Sequence, residues 1–220
     1  MPSIEAAGVI AQKKSLIAAE QDRPDVVQRR HNFAIARRFA EPDRFVFLDE
    51  SGAQTDMTRL YGRAPIGERC VDRVPHGHWK TMTMLSAIRF NGVIQDATVV
   101  FDGPMNSATF LAYTRQCLAP SLRCGDIVVM DNLSSHKAVG VRQAIEEVGA
   151  DLWYLPPYSP DLNPIEKFWS KVKAWLRRIG AKTFDTLTVA IGDALKAVQN
   201  NECNNYFKSC GYGDYSCNPL

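Results

Sequence analysis

Two apolar runs in this chain end in the same residue. "FVFL" is followed by Asp49 and "IVVM" by Asp131. In sheets covered by helices, ligands gather beyond the carboxyl ends of the strands. Two aspartates there suit a cation held by oxygen alone, the preference of Mg²⁺ or Mn²⁺. Aspartate also caps turns and helices, so strand position leaves both readings open. A third acid, Glu166, follows the stretch "YLPPYSPDLNP", stiffened by Pro156, Pro157, Pro160 and Pro164. Asn163 at the N-cap, Pro164 at the first helical position and Glu166 at the third allow a capping box. The helical wheel adds a different reading: Glu166 stands off the apolar stripe and shares its face with Lys173 and Arg177. An acid followed by cations on one face suits a metal site beside a phosphate backbone.

Other candidates rank below these three. Glu50 adjoins Asp49, but side chains alternate along a strand, so it is expected on the opposite face. Asp102, in "FDGP", ends another strand and is a weaker candidate. His76 and His78 have no third ligand in sequence for a metal site. Trp79 is expected in a core rather than stacked on nucleic acid, and Lys80 follows it. Lys167, Lys171, Lys173, Arg177, Arg178 and Lys182 concentrate positive charge on and just beyond the Glu166 helix. Such a run is either a solvated face or a track for DNA phosphates.

The elements that must position these groups are readable from pattern. "FVFLD" (45–49) and "DIVVMD" (126–131) are continuous apolar runs, as for strands buried on both faces. "KTMTMLSAIRF" and "VIQDATVVF" flank Asn91-Gly92, a hairpin signal. Asn106 or Ser107 caps a helix to about Leu118, and a helix after Asp131 runs to about Val148, ended by Gly149. "DLWYLP" is a short strand. From Pro164, Ile165, Phe168, Trp169, Val172, Leu176 and Ile179 repeat with a 3.6 period. A last helix is expected from Asp185 to about Asn200, with Phe184, Leu187, Ile191, Leu195 and Val198 on one face. The order β, β-hairpin, α, β, α, β, α, α is an α/β sandwich around one mixed central sheet.

Residues 1–44 read as a charged helical arm or linker, packing on the next domain or contacting a partner. The 220 residues are 45% hydrophobic and 23% charged, with net charge +2, a globular profile. That charge is too small to argue for nucleic acid by itself. No apolar run approaches the roughly 18 residues of a membrane span, and no signal peptide is evident, so a cytoplasmic protein is expected. Six cysteines without a CxxC pair, Cys217 the last, read as free thiols.

With these residues in hand, "FLDESG" around Asp49, "VVMDNLSSH" around Asp131 and "LPPYSPDLNPIEKFW" around Glu166 resemble the mariner-superfamily DDE transposases. The bacterial branch named for insertion sequence 630 is the most similar. The 34 residues between Asp131 and Glu166 match that superfamily's spacing. "YGRAPIGER", "HGHWKT" and "ECNNYFKSCGY" extend the resemblance from about residue 13 onward. It implies a ribonuclease H-like fold with an N-terminal helical arm, residues 45–220 forming the catalytic domain with its C-terminal helices. It further implies two Mg²⁺ or Mn²⁺ ions held by Asp49, Asp131 and Glu166, one activating the nucleophile and the other stabilising the leaving oxygen. Asn132 and His136 fall in the family's "DN…H" pattern, supporting the acids or facing DNA. Ser134 and Ser135 are then helix caps rather than nucleophiles.

The implied partners are DNA, as transposon ends and target, and a second copy of the chain. A TA target dinucleotide is a further family expectation. Family members carry paired helix-turn-helix modules upstream, for which residues 1–44 are too short. The expectation is therefore either a separately encoded recognition module or a truncated relic. Two rival readings stand beside the transposase: a non-catalytic DNA-binding or dimerising fragment that modulates an intact enzyme, and a ribonuclease H-like nuclease of another kind. The "SPDLNPIE" arm and the spacing argue against the latter.

Overall fold

The computed structural model describes residues 17–74, 77 and 79–213. His76, His78, Cys217 and the first sixteen residues lie outside them. Five strands form one sheet in the order β3-β2-β1-β4-β5. These are β1 (Phe45–Gln54), β2 (Thr81–Arg89), β3 (Gly92–Asp102), β4 (Ile127–Met130) and β5 (Asp151–Tyr154). The hairpin β2–β3 turns at Asn91-Gly92, where Gly92 has φ of 149°, and pairs antiparallel with β1. β4 and β5 are parallel to β1 and to each other. β1 runs five residues past Asp49, because β2 extends alongside it to Thr81.

Alternation along β1 and β4 divides the core in two. Phe45, Phe47, Ile127 and Val129 face α5 (Pro164–Ile179), α6 (Phe184–Lys196) and α7 (Asn200–Ser209). Val46, Leu48, Val128 and Met130 face α2 (Ser107–Tyr113) and α4 (Val141–Glu146). Burial of both faces explains why these strands read as unbroken apolar runs. Asn106 caps α2 by accepting from the Thr109 amide. The helix then widens into a π turn at Thr114–Leu118 before α3 (Ala119–Ser121). Pro120 offers no amide to the preceding turn and crowds it, a recognised cause of such a distortion.

Several expectations are corrected. The last helix is broken: α6 ends at Lys196, and a further helix, α7, follows with its own capping box between Gln199 and Glu202. Val198 is buried in the link between them. No helix begins straight after Asp131. A short 3-10 turn, Ser135–Lys137, comes first, with Ser134 making no side-chain cap. α4 starts only after Gly140, whose φ is 94°. Trp79 is about half exposed rather than in the core.

The N-terminal segment packs on the sheet's β5 edge. α1 (Pro24–Ala36) begins at a proline and buries Val26 and Phe33, and the Phe33 ring meets Trp153 edge-on at 6.1 Å. Arg37 donates to the Cys210 carbonyl and lies over the Tyr212 ring. No helix among the described residues is long and apolar enough to cross a membrane.

Candidate active site

β1 and β4 are paired so that Phe47 faces Val129. The same register carried two residues further sets Asp49 level with Asp131. Both leave the sheet on the side covered by α5, whose Ile165, Phe168 and Trp169 are buried there. Glu166, in the first turn of α5, is thereby brought toward Asp49, midway along β1. A cavity of about 400 Å³ opens between Asp131, Asn132, residues 155–160, Asn163 and Glu166. A second cleft of about 420 Å³ shares Asn132, Leu155, Pro156 and Pro157 and reaches Arg29 and Asn32 of α1.

Electrostatics tie the three acids together. Asp49 is buried, and its carboxyl is pushed up to about 7, first by burial and then by the charge of Glu166. The Glu50 amide pulls it back, Asp131 adds repulsion, and His136 lowers it. Burial raises Asp131 as well, but the His136 imidazole and the Leu133 amide outweigh it and hold the carboxyl below its usual value. The outcome differs because Asp131 is more open and has two local partners.

The capping alternatives are partly realised. Asp49 Oδ1 accepts from the Glu50 amide at 2.8 Å, and Asp131 Oδ1 accepts from the Leu133 amide at 2.9 Å. Each aspartate is thus oriented through one oxygen. Glu166 makes no capping box: Asn163 gives no side-chain cap, and its Oδ1 is buried without a partner.

His136 is fully buried, with its ring 4.4 Å from that of Phe110. Its Nδ1 lies 2.7 Å from Asp131 Oδ1, off the direction of a regular ring N–H bond. The Tyr154 hydroxyl donates to its carbonyl. His136 therefore stands behind Asp131, not at the protein surface. Asn132 donates to the Leu155 carbonyl, tying the end of β4 to the start of the proline arm. Glu50 follows the strand alternation to the side of Val46 and Leu48, where it lines a separate cavity with Thr83, Gly103 and Met105. Burial raises its carboxyl. Asp102 is exposed at the far end of β3.

The cations of α5 divide. Lys167 and Arg178 are exposed, and Lys173 and Arg177 are partly so; Arg178 stacks on Trp175 at 4.1 Å. Lys171 instead bonds Glu202 and the Ala197 carbonyl, so its charge is compensated within the fold. Lys182 stands 3.9 Å from Asp72. Reading by motif missed Arg30, which grips Ser159 and Asp161. An ion pair so distant in sequence leaves no spacing to read.

The family of DDE superfamily endonucleases matches residues 44–188, well over half the chain. The chain belongs to that family. The Mos1 transposase paired-end complex with left transposon end is similar in structure, with TM-score 0.72 and 16% identity over 94% of this chain. The Mos1 mariner paired-end complex with Mn gives the same TM-score and identity. The catalytic domain of Mos1 mariner transposase matches with TM-score 0.57 and 16% identity, covering 90% of this chain and 92% of that one. At such identity the likeness is one of fold: a ribonuclease H-like mixed sheet flanked by helices. The chain spans 65% of the length of the Mos1 chain in the paired-end complex. Among curated protein sequences, none matches this chain.

Proposed function

We propose that this chain is the catalytic part of a transposase of the insertion sequence 630 type, cutting DNA strands and joining the freed end to target DNA. The observation that carries the reading is the convergence of Asp49, Asp131 and Glu166 from two strands and a helix. Asp49 feels the charge of both of the others, which supports a shared site. The donor set is all oxygen, and one oxygen of each aspartate is fixed by a backbone amide. Such a crowd of negative charge suits Mg²⁺ or Mn²⁺. As arranged here, no three metal-ligating groups among the described residues close on one point, so cation binding would draw the acids together. Held by Asp49, Asp131 and Glu166, divalent ions would supply a nucleophile at neutral pH and charge stabilisation for the leaving oxygen.

The protein's own part is orientation. His136 presses on Asp131 from the buried side, as the outer partners of metal-ligating carboxylates do. Asn132 keeps the β4 end and the proline arm at fixed separation. Lys167, Lys173, Arg177 and Arg178 follow the phosphates of a bound duplex, with Lys171 left to the fold. The joined clefts from Glu166 to Arg29 give a strand a path along the β5 edge. Residues 45–220 are the catalytic domain and 1–44 the arm in this reading. Target choice includes a TA step in this reading, and the setting is the cytoplasm.

The test is a cleavage assay on short duplexes with Mg²⁺ or Mn²⁺, alongside Asp131→Ala and Glu166→Ala. Metal-dependent nicking by the parent, absent from both variants, is expected. Cleavage that survives both substitutions overturns the carboxylate site. Salt-sensitive binding without cleavage, even with a recognition module supplied, favours the modulating fragment.

A further inference from the structure

The arm that delivers Glu166 is held from outside itself. Gln21 Nε2 donates to the Tyr158 carbonyl at 2.6 Å. Arg30 Nη1 donates to Ser159 Oγ at 2.7 Å and to Asp161 Oδ1 at 2.9 Å, while Nη2 donates to Asp161 Oδ2 at 2.7 Å. This is a forked, charge-assisted pair, the geometry that fixes direction as well as distance. Ser159 Oγ passes the contact on by donating to the Pro157 carbonyl at 3.0 Å. From the other side, the buried Tyr212 hydroxyl donates to the Leu162 carbonyl at 2.9 Å.

Two further observations say that the arm needs these holds. The prolines set φ at four positions but leave ψ free, and between them Tyr158 has φ of 56°. A residue with a Cβ keeps that left-handed conformation only when its surroundings over-determine it. Gln21 and Arg30 attach at Tyr158 itself and at its neighbour. In addition, the start of α5 has no side-chain cap from Asn163, only backbone bonds such as the Glu166 amide to the Asn163 carbonyl. The rotation of its first turn is therefore set jointly by its buried Ile165 and Phe168 and by what grips residues 158–162.

We propose that Arg30 is a positioning residue for the strand-cutting reaction: through Ser159 and Asp161 it fixes the entry of α5 and keeps Glu166 within reach of Asp49 and Asp131. The inference rests on Glu166 being the third carboxylate. It makes α1 a brace rather than a passive linker. Whatever moves the segment leading into Pro24 then loosens or seats Glu166, so that events on the N-terminal side are felt at the site.

The test uses the full chain with Arg30→Gln, Arg30→Lys, Asp161→Asn, the Arg30→Gln/Asp161→Asn double variant and Glu166→Ala. Two quantities are read: amide hydrogen exchange in the metal-free protein, and Mn²⁺ binding followed by the spin resonance of free Mn²⁺. In Arg30→Gln, exchange is expected to quicken at Tyr158, Ser159, Asp161 and Glu166 while β1 and β4 stay protected. Mn²⁺ binding is expected to weaken about tenfold, as for other outer contacts to metal ligands. Arg30→Lys keeps the charge without the fork and should recover only part. The double variant should be no worse than either single one. Unchanged exchange and Mn²⁺ affinity in Arg30→Gln overturn the proposal, and so does quickened exchange throughout the sheet, which marks a merely structural role. If Glu166→Ala weakens Mn²⁺ binding but Arg30→Gln does not, the brace alone is refuted. If Glu166→Ala leaves Mn²⁺ binding unchanged, the carboxylate reading falls and the brace with it.

Discussion

Asp49 is the residue whose neutralisation should end the reaction and strengthen the metal-free fold. Its carboxyl is only 9% exposed and rises from 3.8 to about 7, by burial first and then by Glu166. A displacement of that size corresponds to about 4 kcal/mol. Relaxation and water entry take part of it, leaving roughly 2–4 kcal/mol to be recovered in Asp49→Asn. Asparagine keeps the shape and an oxygen for the Glu50 amide. The direction with pH follows from proton uptake. The folded chain holds a proton up to about 7 that the unfolded chain releases near 3.8. Metal-free stability therefore falls as pH rises between those values and levels off above them. The assay is thermal unfolding of parent and variant at pH 4 and pH 8, in chelator and in Mg²⁺. At pH 4 the two should nearly coincide. At pH 8 in chelator the variant should melt at least about 4 °C higher. Mg²⁺ should raise the parent and leave the variant unmoved. A variant no more stable than the parent at pH 8 in chelator would refute the reasoning from charge crowding.

Asp126→Ala should be strongly destabilising, because Asp126 and Arg89 form a fully buried pair at 2.7 Å. Removing one partner strands the other, at about 3–5 kcal/mol. Urea unfolding measures it, and a loss under about 1 kcal/mol would contradict the pairing. Lys173→Gln with Arg177→Gln should lower the slope of log affinity against log salt by about 2 for duplex DNA. Lys171→Gln, whose charge is met by Glu202, should change that slope by less than about one; equal effects at all three positions would be evidence against the division. Gly180→Ala should cost about 1 kcal/mol in chemical denaturation, since Gly180 ends α5 at φ of 65° with open space around it.

The sheet was legible where burial is symmetrical. "FVFL" and "IVVM" are apolar throughout because helices cover both faces, and the Asn91-Gly92 turn declares its hairpin. Asp49 and Asp131 stood out because each ends such a run, and Glu166 because its neighbours on the wheel are cations. What stayed hidden was set by tertiary contact. α7 reads as the polar string "NNECNNYFKS", yet Cys203 and Phe207 anchor it in the core. The break before it leaves no proline or glycine as a marker. His136 was open to supporting the acids or facing DNA; nothing in its spacing foretold that its ring is buried against Phe110 and Asp131. Arg30 was one arginine among several on a charged helix, and nothing local marks the one that meets Asp161.

The holds on the proline arm come from opposite ends of the described chain, and the ribosome makes those ends at different times. Gln21 and Arg30 emerge before the sheet exists. Glu166 follows much later, and Tyr212, packed against Phe45 and Phe47, later still. Until Tyr212 is available for Leu162, a nascent chain has its strands and its first two aspartates but an arm gripped from one side only. The order of synthesis thus makes the placing of Glu166 a late event, so an incomplete polypeptide carries two of its acids without a firmly seated third.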